Sequence, residues 1–139
     1  MNDRLLLDTC AIIWLGNGDR LSEESIDALK RVRKVVVSPI SAWELGLVSR
    51  LRASRPASPA FVPDVRTWFA RFMARPSVEP APFSMEMALD AANLPGAFHN
   101  DPADRLLVAT ARHMSIAIVT RDRKILDYAQ AGFVDAVAC

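Results

Sequence analysis

The sequence predicts an α/β fold with a central, mainly parallel sheet of four to five strands. Short apolar runs alternate along the chain with stretches of helical periodicity, which is the pattern of successive β-α-β units. The chain has 139 residues, of which 51% are hydrophobic and 24% are charged, so we expect a single domain, 1–139, with its own core. No apolar run approaches the roughly 18 residues of a membrane helix, and none near the N-terminus is long enough for a signal peptide. These observations predict a soluble, cytoplasmic protein.

Five apolar runs predict the strands, namely 5–7, 35–37, 78–83, 116–119 and 133–137. The third run is the weakest, because Pro80 and Pro82 cannot donate hydrogen bonds to a sheet. Helices are expected between the strands, beginning at Ser22, Ser84, Asp101 and Asp122. A further helix is expected after the second strand, through Trp43, Glu44 and Leu47. The proline-rich stretch 52–63 is predicted to be a loop.

The segment 49–75 combines helical periodicity with positive charge. Its large apolar residues, Val65, Trp68, Phe69 and Phe72, recur at the spacing of an amphipathic helix. This periodicity does not distinguish a face packed in the core from a groove that receives a helix of another chain, so both interpretations stay open. Six arginines against one acid give the segment a net charge of +5, whereas the rest of the chain carries −4. The cluster is a weak indication of a polyanionic partner.

Acidic residues occur where the predicted strands end and the predicted helices begin. Asp8 directly follows the run 5–7, and Asp122 lies just beyond the run 116–119. Glu44 and Asp104 are expected in the first turns of their helices. Ligands of open α/β sheets bind outside the carboxyl ends of the strands, so we expect the four carboxylates to share one cleft. Hard oxygen ligands of this kind suit Mg²⁺ or Mn²⁺ rather than zinc.

Each acid also has a purely structural interpretation. Glu44 stands three residues after Ser41, which is the spacing of a capping box. Asp104 falls at the third position of its helix, and Asp122 could itself be a helix N-cap. Asp8 has no evident capping role, and burying an unpaired acid is costly. It therefore favours the functional interpretation most strongly.

Four segments of the chain form a series in this order: LLLDTCAIIWL, SPISAWELG, HNDPADRLLVATA and IVTRDRKI. Together they closely resemble the PIN-domain ribonucleases, specifically toxins of the VapC type. The resemblance covers essentially the whole chain and implies a three-layer α/β/α PIN-like fold. It also implies that Asp8, Glu44, Asp104 and Asp122 bind metal, whereas Asp101 is assigned to helix capping.

The resemblance implies a Mg²⁺-dependent endoribonuclease that hydrolyses RNA phosphodiester bonds. Mn²⁺ is expected to substitute for Mg²⁺, and one or two ions are expected in the site. Thr9, Thr120, Arg121 and Arg105 lie beside the four acids and are candidate auxiliary residues. The threonines could orient water or a carboxylate, and the arginines could contact phosphates. Strand-end, turn and surface roles are the alternatives for these residues.

The same resemblance implies an RNA substrate, a cognate antitoxin protein and a homodimer or a larger toxin–antitoxin complex. A non-catalytic module that binds nucleic acid or protein on the same fold is the alternative function. A thiol hydrolase is disfavoured, because Cys10 is expected to point into the core. His99 is expected to make loop hydrogen bonds.

The three tryptophans, Trp14, Trp43 and Trp68, could stack on RNA bases. Each lies at a helical apolar spacing, so we expect core positions for all three.

Overall fold

The computed structural model describes residues 3–52, 54–55 and 58–139. Its strands are β1 (Arg4–Leu7), β2 (Lys34–Val37), β3 (Val78–Pro80), β4 (Ala117–Thr120) and β5 (Ala136–Ala138). Its helices are α1 (Thr9–Asn17), α2 (Glu23–Arg31), α3 (Pro39–Leu51), α4 (Val65–Met73), α5 (Met85–Ala92), α6 (Pro102–Met114) and α7 (Arg123–Gln130). The strands form one sheet in the order β3-β2-β1-β4-β5, and every pairing is parallel. The predicted α/β fold with a parallel sheet is confirmed.

The central strand β1 shows how the sheet divides the core into two layers. Leu5 and Leu7 pack in one hydrophobic cluster, whereas Leu6 packs in the other. Successive side chains of a strand point to opposite faces, so a strand buried on both faces is apolar throughout. The first cluster contains residues of α1, α2 and α4, and the second contains residues of α5, α6 and α7. This arrangement is the predicted three-layer α/β/α architecture.

The predicted helix starts are confirmed at Ser22, Ser84, Asp101 and Asp122. Ser22 accepts a hydrogen bond from the backbone N–H of Ser25, and Ser84 does the same for Met87. Asp101 caps α6, and Pro102 follows it in the first helical turn, where a missing N–H costs nothing. These caps satisfy backbone donors that have no partner inside the helix.

Helix α1 is not among the elements that we predict from the sequence. Its run Ala11–Ile13 is buried and continuously apolar, so it lacks the amphipathic spacing that marks a helix lying on the surface. The helix ends at Gly18, whose φ of 73° is the left-handed conformation that glycine adopts readily.

The apolar face of α4 packs inside the protein. The Trp68 ring lies 5.0 Å from the Phe61 ring and is stacked 5.9 Å from the Phe72 ring. Gly16 of α1 approaches the same indole so closely that a Cβ there would lie 2.2 Å from Cζ2 of Trp68. The core interpretation of the amphipathic helix is therefore the one that the structure supports.

Two further sequence predictions concern the loop 52–63 and membrane-spanning helices. Within the predicted loop 52–63, residues 53, 56 and 57 lie outside the described residues. None of the helices in the described part of the chain is long and apolar enough to cross a membrane.

Candidate active site

A pocket of about 510 Å³ opens at the carboxyl ends of β1 and β4. Its acidic residues are Asp8, Glu44, Asp101, Asp104 and Asp122. The pocket also has apolar lining residues, namely Ile13, Leu47, Val48 and Leu51. The structure therefore brings the four predicted metal-binding acids to one pocket, with the capping acid Asp101 beside them.

Asp8 lies at the base of this pocket with 6% of its surface exposed. It is the N-cap of α1, and its Oδ1 accepts a hydrogen bond of 2.7 Å from the backbone N–H of Thr9. Its Oδ2 accepts a hydrogen bond of 2.6 Å from the hydroxyl of Thr120. The expectation that Asp8 has no capping role is thus wrong, because the helix that it caps was missed. Both carboxylate oxygens are held in place by these donors.

Thr120 connects two of the acids. While its hydroxyl donates to Asp8, its Oγ1 accepts a hydrogen bond of 3.0 Å from the backbone N–H of Asp122. Asp122 is the N-cap of α7, and its Oδ1 accepts from the N–H groups of Lys124 and Ile125. The structural interpretation of Asp122 is therefore correct, and it places the carboxylate in the pocket at the same time.

Glu44 is held by the other threonine of the site. The hydroxyl of Thr9 donates a hydrogen bond of 2.6 Å to Oε1 of Glu44, and Ser41 Oγ lies 3.0 Å from the same hydroxyl. The predicted capping box of Ser41 and Glu44 is wrong, because Ser38 caps α3. Pro39 begins the helix, so Glu44 lies in its second turn and projects toward the pocket one turn later than we expected.

Asp104 projects into the pocket from the first turn of α6. Its backbone N–H donates to Oδ1 of Asp101 over 3.2 Å, as expected for a capped helix. Its own Oδ2 lies 3.0 Å from Nε2 of His99, and the two side chains are only 15% and 21% exposed. Sequence patterns place His99 in a loop but do not indicate that it contacts an acid of the site.

Burial and mutual repulsion perturb the acids of the pocket. Burial is the main cause that raises the pKa of Asp104 to about 7, and the negative charges of Asp122, Asp101, Asp8 and Glu44 raise it further. Burial also raises the pKa values of Asp8 and Glu44 above their ordinary values, although the hydrogen bonds from the two threonines oppose the rise. A divalent cation in the pocket would favour the ionised form of these acids, because its positive charge compensates for lost hydration and for the repulsion between the carboxylates.

The donor set fits a hard divalent cation, since it consists of carboxylates and hydroxyls. Among the described residues, however, no three His, Cys, Asp or Glu side chains converge closely enough to surround an ion. Three of the acids instead accept hydrogen bonds from the protein: Asp8 from Thr9 and Thr120, Glu44 from Thr9, and Asp122 from the start of α7. Asp104 lies beside His99. Metal binding by the four acids stays a prediction.

The two candidate auxiliary arginines have different surroundings. Arg121 lines the pocket and is the one cation among its described lining residues. Its Nε donates to the carbonyl of Cys139 over 2.8 Å, and its guanidinium lies 3.6 Å from the centre of the Trp14 ring. Arg105 does not line the pocket. Its guanidinium donates to four backbone carbonyls near the end of α5 and in the following loop, which is a structural role.

Two side chains near the site are placed differently from our expectations. Cys10 is exposed and lines the pocket, because α1 turns it outward from the position that a continuing strand would give it. Burial nevertheless raises the pKa of its thiol to about 11, and the charges of Asp8 and Glu44 add to the rise, so the thiol is a poor nucleophile. Trp43 is 58% exposed rather than part of the core, whereas Trp68 is buried as expected.

This combination of a parallel sheet and an acid-lined pocket at its carboxyl edge agrees with what the chain is similar to. The model of the PIN domain family matches residues 5–131. The chain therefore belongs to the PIN domain family, as the sequence segments predicted.

Within this family, the chain is similar to Ribonuclease VapC22 of Mycobacterium tuberculosis. The two are 30% identical over 122 residues, which is 87% of this chain and 88% of that protein. The similarity supports the predicted resemblance to the VapC type.

Solved structures share the fold at lower sequence identity. VapBC2 from Rickettsia felis, bound to a DNA fragment from its promoter, matches with a TM-score of 0.66 at 14% identity, over 97% of this chain and 98% of that chain. VapC20 of Mycobacterium tuberculosis, described as a toxin that cleaves the sarcin–ricin loop, matches with a TM-score of 0.60 at 17% identity. That match covers 96% of this chain and 98% of that chain. These likenesses confirm the fold.

Proposed function

We propose that the chain is a metal-dependent endoribonuclease of the VapC type that acts as the toxin of a toxin–antitoxin pair. The observation that carries this proposal is the meeting of Asp8, Glu44, Asp104 and Asp122 in one pocket. Their raised pKa values and the similarity to a curated ribonuclease over most of the chain support it. We propose that residues 1–139 act as one nuclease domain in the cytoplasm, where RNA substrates are found.

The four acids would hold one or two Mg²⁺ ions, with Mn²⁺ as a substitute. Such an ion, when bound, lowers the pKa of water toward neutrality and offsets the charge that develops on a phosphate under attack. The hydroxyls of Thr9 and Thr120 keep the carboxylates of Glu44 and Asp8 in fixed orientations, so little reorganisation is needed when RNA binds.

Arg121 would contact a phosphate next to the one that is cleaved. It lies on the wall of the pocket, and its side chain is fixed by the Trp14 ring and by the carbonyl of Cys139. A guanidinium held in one position loses less conformational entropy when it binds an oxyanion. With water as the proposed nucleophile and the 3′ oxygen of the preceding ribose as the proposed leaving group, the products would carry a 5′-phosphate and a 3′-hydroxyl.

The proposed protein partners are a cognate antitoxin and a second copy of the chain. Solved structures with the same fold include toxin–antitoxin complexes from Klebsiella pneumoniae and Rickettsia felis. The apolar lining residues of the pocket offer an antitoxin segment a hydrophobic contact, and a basic side chain of that segment could pair with the carboxylates. Trp43, Met85 and Leu89 are exposed apolar side chains on α3 and α5, and covering them would favour a homodimer.

The proposal is tested by incubating the purified protein with a pool of single-stranded and hairpin RNAs. We expect cleavage with Mg²⁺ or Mn²⁺, no cleavage with a chelator, and a loss of about 100-fold or more in Asp8→Asn. The matched control is Asp127→Asn, because Asp127 is an exposed acid on α7 that does not line this pocket. Its activity should equal that of the wild type.

Two results would contradict the proposal. Cleavage that persists in Asp8→Asn would show that a contaminating nuclease is responsible. A folded wild-type protein that neither cleaves the pool nor binds Mn²⁺ would favour the non-catalytic binding module.

A further inference from the structure

We infer that His99 is a positioning residue for Asp104, holding one carboxylate oxygen so that the other faces the pocket. This inference rests on the proposed metal site, and it assigns a role to a residue outside the four acids. The main observation in its support is that Nε2 of His99 lies 3.0 Å from Oδ2 of Asp104.

The ring nitrogen of His99 is buried without a satisfied hydrogen bond. Nε2 is excluded from solvent and makes no hydrogen bond within the described structure. A buried polar atom that lacks a partner costs roughly 1–3 kcal/mol. The Asp104 carboxylate is the group placed to satisfy Nε2–H, because its Oδ2 is already at hydrogen-bond distance.

The backbone around His99 is held in place by its neighbours. Arg105 donates hydrogen bonds of 3.0 and 3.1 Å to the carbonyls of Phe98 and His99. The same guanidinium bonds to the carbonyls of Ala91 and Ala92 at the end of α5, so the loop is fastened to that helix.

The His99 ring is also supported from its side. The Phe98 ring lies 4.5 Å from the His99 ring and 4.7 Å from the ring of Tyr128. Tyr128, which is buried, donates its hydroxyl proton to the carbonyl of Pro95 in the same loop. The His99 ring therefore lies against a phenyl ring that is itself packed on a buried tyrosine, and this contact restricts how the imidazole can turn.

The consequence for the site concerns the orientation of one acid. A histidine that donates to a metal-binding carboxylate fixes which oxygen is offered to the ion, and loss of such outer partners typically costs 10–100-fold in affinity or activity. Asp104 receives its only other described support from the backbone, through the N–H that it donates to Asp101. Its carboxylate would therefore be free to rotate without His99.

The variants for the test are His99→Leu, His99→Gln and His113→Leu. Leucine removes the donor and keeps the bulk of the side chain, whereas glutamine places an amide N–H close to the position of Nε2. His113 is the matched control, since it contacts Asp90 on the surface and lies on the same helix as Asp104, away from the pocket.

The first readout is the affinity for Mn²⁺ alone, measured by titration calorimetry without RNA. We expect His99→Leu to bind Mn²⁺ about tenfold more weakly, and His99→Gln and His113→Leu to bind within about threefold of the wild type. Thermal unfolding of each variant shows whether it is folded. Equal affinity in wild type and His99→Leu would overturn the inference and leave the proposed function intact. No Mn²⁺ binding by the wild type would overturn this inference together with the proposed metal site on which it rests, whereas the proposed function is judged by RNA cleavage.

The second readout needs neither a variant nor a metal. Long-range ¹⁵N–¹H spectra of the wild-type protein report which ring nitrogen of each histidine carries the proton. The inference requires a proton on Nε2 of His99. A ring with its proton on Nδ1 alone would leave Nε2 unable to donate to Asp104 and would overturn the inference even if His99→Leu did not fold.

Discussion

Replacement of Asp104 by asparagine should stabilise the metal-free protein while it abolishes activity. The substitution keeps the size of the side chain and removes one of the charges that repel one another in the pocket. A rise of the pKa from 3.8 to about 7 corresponds to roughly 4 kcal/mol for an isolated group. Because several neighbouring carboxylates share this cost, we expect a gain of about 1–3 kcal/mol in the free energy of unfolding.

The pH dependence of this gain follows from the direction of the shift. The folded protein binds the Asp104 proton more tightly than the unfolded chain does, so ionisation costs stability as the pH rises from about 4 to about 7. The advantage of Asp104→Asn should therefore be complete above pH 7, smaller at pH 5 and nearly absent at pH 4. This sign is opposite to that of an acid stabilised by a salt bridge.

The assay is urea unfolding with a chelator present, followed by tryptophan fluorescence, to which the buried Trp68 contributes. Asp127→Asn serves as the control, because it removes an exposed acid from α7 and should leave stability nearly unchanged. Adding Mn²⁺ should stabilise the wild type and have little effect on Asp104→Asn. A variant that is no more stable than the wild type at pH 8 without metal would refute the view that burial and the neighbouring carboxylates raise the pKa of Asp104.

Two further predictions concern a buried hydroxyl and two helical glycines. Thr120→Val removes the hydrogen bonds to Asp8 and to the N–H of Asp122, so we expect a loss of about 1–3 kcal/mol in urea unfolding together with reduced RNA cleavage. Unchanged cleavage by this variant would mean that the hydroxyl does not orient Asp8. Gly16→Ala should destabilise the protein by about 1–3 kcal/mol because the new methyl group meets the Trp68 ring. Gly46→Ala, in open space on α3, should stabilise it by about 0.5–1 kcal/mol, and similar unfolding midpoints for the two variants would contradict the predicted packing.

The parallel sheet and most helices could be predicted because local chemistry determines them. Leu5–Leu7 and Val35–Val37 are buried on both faces, and a strand in that position must be apolar throughout. Asp101-Pro102 marks the start of α6 by the rules of helix capping. Helix α1 could not be predicted because it is apolar on most sides, so its sequence lacks the amphipathic pattern that marks a surface helix.

The sequence allows the acids of the candidate site to be predicted, but it does not allow the contacts between their side chains to be predicted. The acids lie near strand ends and in early helical turns, and topology brings those positions together. By contrast, the contact between His99 and Asp104 depends on side-chain orientation, and the bond from Thr9 to Glu44 spans 35 residues. The exposure of Trp43 also depends on which neighbours cover α3, and periodicity does not show this.

The first turn of α6 combines three different duties in a very short peptide. Asp101 starts the helix, Asp104 projects into the pocket, and Arg105 fastens the preceding loop to α5. A chimaera that exchanged only this peptide would separate the arginine from the carbonyls that it binds. The end of α5, the loop and the start of α6 therefore have to be exchanged together. Substitutions in these three segments should have non-additive effects on the free energy of unfolding, even between positions that are far apart in the chain.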